Sequence, residues 1–205
     1  MRRLQTITMV LGATALLAAA GCGGETSNQQ ASAGEELLPQ DPPDLVYDDE
    51  PDAWAEAPGT VGEDTAPGTF GIDSCRLHNG IANGNYTRLT PYQVAVLAHR
   101  QGVACGANLV RSVAITGAES SRYQYAYLVN TNCSIDRGLW QINSGYWPSY
   151  SSYAQSTNAH GMYVISSHGT NWHPWVTYNN GAYKTYWTNA CKAVKALCGA
   201  SHAGC

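Results

Sequence analysis

Glu119-Ser120 and, further on, Ser134-Ile135-Asp136-Arg137-Gly138-Leu139-Trp140-Gln141-Ile142-Asn143-Ser144 contain the only two carboxylates in residues 74–205 of this 205-residue chain. Upstream of the first, Val110, Val113, Ala114 and Gly117 recur at helical spacing, which predicts a helix from about Ala107 to Ser120. Glu119 falls in its last turn, against the negative end of the helix dipole, where ionisation is disfavoured. Burial there would raise its pKa further, towards what a general acid needs near neutral pH. An arbitrary glutamate at a helix end is more often simply solvated. Scarcity argues otherwise here, because acid–base chemistry on carboxylates in this region has to use Glu119 or Asp136.

Two more helices flank this one. Thr90-Pro91-Tyr92-Gln93 is a start signal: Thr90 caps, Pro91 takes the first helical position, and Gln93 completes a capping box. Val94, Leu97, Ala98 and Gln101 follow at helical spacing, and Gly102 ends the run. Near the C-terminus, Thr188–Leu197 reads as a helix with Ala190, Ala193, Val194 and Leu197 on one face and Gly199 as its stop. Six cysteines fall in this region: Cys75, Cys105, Cys133, Cys191, Cys198 and Cys205. An even number predicts disulfides in an exported domain, with the connectivity open. A continuous last helix separates Cys191 from Cys198 by about 10 Å along its axis, which rules out that one bond. The spacings fit no zinc pattern, nor do those of His160, His168 and His173, so neither a metal nor another cofactor is expected.

The charge is unevenly spread. Residues 22–73 hold 13 of the 15 Asp and Glu residues and no Lys or Arg, whereas residues 74–205 hold 9 Lys and Arg. The net of −4 therefore hides an acidic segment and a basic domain. Residues 22–73 are also rich in Pro, Gly and Ser and aperiodic, so they read as a disordered linker. Before them, Arg2 and Arg3 precede an apolar run from Ile7 to Ala20 that ends in Gly21-Cys22. Residues 1–21 read as a signal peptide, too short and Ala-rich for a membrane span. Ala19-Ala20-Gly21-Cys22 resembles a bacterial lipoprotein signal, which implies a lipid on Cys22 and anchorage in the cell envelope. Cleavage after Ala20 with free secretion is the alternative. Collagen, coiled coil and multi-span membrane protein are excluded by composition.

The motif pair quoted first resembles the lysozyme-like superfamily. Glu119-Ser120 with Gly138-Leu139-Trp140-Gln141 is similar to soluble lytic transglycosylases. The same Glu-Ser, Asp136 and the run Gly138 to Ser144 are similar, in mutual spacing, to chicken-type lysozyme. Asn130-Thr131-Asn132-Cys133-Ser134-Ile135-Asp136 resembles that family's hairpin. The segment from Asn171 through Trp175 and Tyr178 to Tyr183 is similar to the C-terminal part of transglycosylase-like domains. The resemblance covers about residues 90–190. It implies an α+β, mainly α fold, two-lobed with a small β-hairpin lobe and stabilised by disulfides, over residues 74–205. It assigns Glu119 as catalytic acid, Asp136 as second carboxylate, and Gln141 and Asn143 as cleft residues. Trp175 corresponds to the indole that walls the acid, and Tyr183 to a tyrosine of the transglycosylase pattern. Ala114 stands where chicken-type lysozyme has a cysteine, so the disulfide map departs from that family.

The residue chemistry runs the same way. Glycan cleavage needs a protonated carboxyl over the leaving oxygen and stabilisation of an oxocarbenium-like state. Residues 74–205 supply 5 Trp and 12 Tyr with many Asn, Gln and Ser. Most of these aromatics are expected in the core; Trp140, Trp147 and Trp175 lie near the motifs. A basic domain suits an anionic polymer such as peptidoglycan, and no nucleic-acid motif is present. The expected activity is that of a monomeric muramidase on the β-1,4 MurNAc–GlcNAc bond of peptidoglycan glycan strands. The alternatives are a lytic transglycosylase giving 1,6-anhydro products and a non-catalytic wall-binding lipoprotein.

Overall fold

The computed structural model describes residues 37–50, 75 and 77–205. The leader and Cys22 lie outside the described residues. Helix α1 (Pro91–Arg100) starts as its sequence dictates: the Gln93 N–H donates to Thr90 Oγ1 at 3.2 Å, and the Thr90 N–H donates to Gln93 Oε1 at 3.1 Å. Helix α2 (Ala107–Ser120) is the axis of the domain, and Leu109, Val110 and Val113 through Gly117 are all buried. A helix buried almost all round needs neighbours on every side. Here they are α1, α5 (Trp187–Cys198), the four-residue α4 (Val176–Asn179) and the 3-10 turn at Ala182–Tyr186. Gly117 is required where α2 meets that turn, because a Cβ there would stand 2.4 Å from the Tyr186 ring. Helix α3 (Gln155–Ile165) closes the body against α1.

Beside the helices lies a four-stranded antiparallel sheet in the order β1-β2-β3-β4. Its strands are β1 (His78–Ile81), β2 (Ala126–Val129), β3 (Ile135–Arg137) and β4 (Ile142–Asn143). The expected hairpin is thus the centre of a larger sheet. Register sets Asp136 opposite Leu128 on one side and Asn143 on the other. The β2–β3 turn closes with the Asn130 N–H donating to the Ser134 carbonyl at 2.8 Å.

Three disulfides tie the domain: Cys75–Cys133, Cys105–Cys198 and Cys191–Cys205. The first holds the chain before β1 to the hairpin turn, and the others fix the ends of α5. Cys191 and Cys198 do not pair, since α5 runs unbroken between them. Three disulfides fit an exported protein. No helix among the described residues is long and apolar enough to cross a membrane.

The acidic segment departs from the expected linker over residues 37–50. These residues include a turn closed by the Leu45 N–H on the Pro42 carbonyl, and Leu38 and Tyr47 pack against the core of the helical body. The Tyr92 N–H donates to Tyr47 Oη at 3.1 Å, and Thr90 Oγ1 donates to Asp41 at 2.6 Å. Asp48 exchanges two backbone hydrogen bonds with the side chain of buried Asn189, and Lys192 pairs with its carboxylate at 2.7 Å. Glu50 forms an ion pair with Arg122, both side chains 6% exposed. Composition gives an average, and a few anchors of matching shape and charge outweigh it. The remainder of the expected linker lies outside the described residues.

Candidate active site

The end of α2 carries Glu119 and is locked to the segment that follows β3. Ser120, fully buried, donates from Oγ to the Leu139 carbonyl at 2.8 Å and lies within 3.1 Å of the Thr116 carbonyl. That bond gives the Glu-Ser pair a physical meaning: the serine sews the acid helix to the Gly-Leu-Trp-Gln turn. Gly138 is needed in that turn at φ 76°, because a Cβ would meet the Ser152 carbonyl at 2.6 Å and Asn158 at 2.8 Å. Asn158, itself buried, accepts from the Trp140 N–H at 3.0 Å and donates to the Arg137 carbonyl at 2.9 Å.

Glu119 points to where α2, α4 and the sheet converge. The Thr177 hydroxyl donates to Glu119 Oε1 at 2.6 Å, and the Thr177 backbone N–H also donates to the carboxyl. The side chain keeps partial access to solvent, as an acid that must meet a substrate requires. Burial nonetheless dominates its electrostatics and pushes its pKa from the usual carboxyl range up to about 7. The two Thr177 bonds oppose that rise, and the charge of Asp136 adds to it.

Asp136 sits in mid-β3, with both oxygens held by amides. Asn143 Nδ2 donates to Oδ1 at 2.6 Å, and Asn130 Nδ2 donates to Oδ2 at 3.1 Å. Ser134 Oγ accepts from the same two amides and keeps them aimed. Burial raises the Asp136 pKa, and the two amide bonds pull it back. With both oxygens accepting, the ionised form is the one its surroundings satisfy.

The other expected cleft residues take different places. Asn143 touches the carboxylate directly. Gln141, at φ 45°, turns inward and donates from Nε2 to the carbonyls of Gly138 and Ala126 at 2.8 and 3.0 Å. It stitches the turn to β2 rather than reaching for a sugar. Trp175 is 5% exposed; it stacks on Trp172 and donates its indole N–H to the Trp140 carbonyl at 2.8 Å. Trp140 is fully buried, with its own indole N–H on the Ser112 carbonyl at 3.3 Å. Both indoles are buried in the core. Tyr183, half-buried in the 3-10 turn, packs between Tyr178 and Trp187. Exposed aromatic surface lies instead at Tyr146 (78%) and Trp147 (41%), just after β4 and joined to it by the Trp147 N–H on the Asn143 carbonyl.

Sequence reasoning gave Thr177 no role. Its bond to Glu119 spans 58 residues, and no local pattern encodes such a pair. His160 faces Gln101 and Tyr150, His168 packs on Tyr163, and His173 contacts Asn179 and Tyr178. Among the described residues, no group of three or more His, Cys, Asp or Glu side chains could hold a metal.

Residues 95–177 match the family model described as a lysozyme-like domain, which runs from the middle of α1 to Thr177 and so includes both carboxylates. Over those residues the chain is similar to lysozyme-like domains. No curated protein and no solved structure matches it. A lysozyme-like domain suggests a peptidoglycan-acting glycosidase or transglycosylase.

Proposed function

We propose that this protein is a muramidase that hydrolyses the β-1,4 bond between N-acetylmuramic acid and N-acetylglucosamine, with Glu119 as general acid. The observation that carries the reading is a buried carboxyl with its pKa near 7, whose charge environment includes a second carboxyl that accepts from two amides. Glu119 gives its proton to the glycosidic oxygen as the bond breaks. Asp136 faces the positive charge that develops on the sugar and stabilises it, or captures it as nucleophile. Tyr146 and Trp147 supply stacking surface for a sugar ring next to Asn143. A lipid on Cys22 would hold the enzyme at the envelope, next to its polymer.

Mass spectrometry of muropeptides released from murein sacculi tests the reading. Hydrolysis leaves reducing muramyl ends, and Asp136→Asn should cut turnover strongly. Anhydro-muramyl ends with Asp136→Asn still active would assign a lytic transglycosylase instead, where the sugar's own 6-hydroxyl attacks. Sacculus binding without soluble products, from wild type and Glu119→Gln alike, would leave only a wall-binding protein.

A further inference from the structure

The Thr177 hydroxyl lies 2.6 Å from Oε1 of Glu119, at the short end for an O–H···O bond. A backbone N–H of the same residue also donates to the carboxyl. An N–H can only donate, so Thr177 offers the carboxyl a donor in both protonation states. We infer that Thr177 is the positioning residue for the acid: its hydroxyl bond to Oε1 fixes the orientation of the Glu119 carboxyl. The inference rests on Glu119 being the general acid.

The position of Thr177 is well determined. It lies in the first turn of α4, and Trp175, just before that helix, is fixed by its indole bond to the Trp140 carbonyl. The Trp140 N–H is in turn held by Asn158, and Ser120 grips the neighbouring Leu139 carbonyl. One set of hydrogen bonds therefore sets both the acid and the group that orients it. When the carboxyl O–H bond breaks, its electron pair stays on the carboxylate and the glycosidic oxygen gains the proton. The new negative charge is met at once by the two Thr177 donors, which need not reorganise. Helix α4 carries no charged residue, and the charge of Asp136 on β3 acts on Glu119.

The test compares Thr177→Val, Thr177→Ser and Glu119→Gln in the full chain, following kcat and KM on solubilised glycan strands across pH 4 to 9. Valine keeps the shape and loses the donor; serine keeps the donor. The valine variant is expected to lose about tenfold in kcat, as for a lost hydrogen bond to a charged group, with KM little changed. Its alkaline limb should move to higher pH, because a donor that favoured the ionised acid is gone. Serine should restore both to near wild type. A valine variant with wild-type kcat and pH profile would overturn the inference, and so would equal losses in the valine and serine variants, which would mean packing alone matters. Should valine fail to fold, Thr177→Ala replaces it with the same expectations. Turnover by Glu119→Gln would sink the acid assignment itself, a separate failure.

Discussion

Glu119 is kept in an environment that would suit the proposed general acid at the expense of stability. Its folded pKa of about 7 lies above the 4.5 of an exposed carboxyl, so the folded state binds the proton more tightly than the unfolded one. Between those two pH values stability falls as pH rises, and the deficit is complete above pH 7. Glu119→Gln removes the charge and keeps the shape. It should abolish turnover yet raise stability at pH 8 by on the order of 2 kcal/mol, with little gain at pH 4, as read by denaturant melts. Equal stabilities at pH 8 would contradict the buried-acid description. Wild-type activity should decline as pH rises through about 7, where the acid loses its proton. Both carboxylates were legible in the sequence because so few exist. The residues that tune them were less so: Asn130 and Asn143 are near Asp136 in the chain, but Thr177 reaches Glu119 only through the fold.

At the scale of elements, what was legible had a local cause. The start of α1, the span of α2 and the run of α5 follow from a capping box, apolar spacing and a terminal glycine. Strands β1 and β4, of four and two residues, carry no such signal and exist through pairing to β2 and β3. Trp140, Gln141 and Trp175 sit beside the motifs, which suggested sugar contacts, but their polar atoms serve backbone groups inside the fold. The joint between α2 and the sheet therefore depends on small polar contacts. Ser120→Ala should destabilise the domain by about 1–2 kcal/mol, because it leaves the Leu139 carbonyl buried without its donor. It should also lower kcat, since the acid helix is no longer held at its working end. Gly138→Ala should cost at least as much, adding a clash to a left-handed φ. Thermal melts of both variants, read beside kcat, check the pair.

For the molecule as a whole, the docked acidic segment changes how the charges are understood. A basic domain alone would offer Arg122 and Lys192 to an anionic polymer, but Glu50 and Asp48 already engage them. The Glu50–Arg122 pair is the deeper of the two. Burial lowers the Arg122 pKa and Glu50 is the largest influence raising it, so the guanidinium stays charged there with its partner's help. Arg122 also follows Ser121 in a left-handed backbone at φ 65°, an uncommon conformation that the surroundings must stabilise. The Arg122 N–H on the Thr116 carbonyl and the Leu89 N–H on the Arg122 carbonyl do so, which couples the end of α2 to the chain before α1. Removing one member of a buried pair leaves the other charge uncompensated, at a cost of about 3–5 kcal/mol. Glu50→Ala should therefore destabilise the domain far more than Asp48→Ala, whose ion pair is half exposed and worth under about 1 kcal/mol. Replacing both partners, as Glu50→Leu with Arg122→Met, should recover most of the loss, because no charge is then stranded. Urea denaturation of the three variants and wild type separates the cases. A Glu50→Ala midpoint equal to wild type would mean the segment merely rests on the domain; the expected drop would make residues 37–50 part of the folding unit.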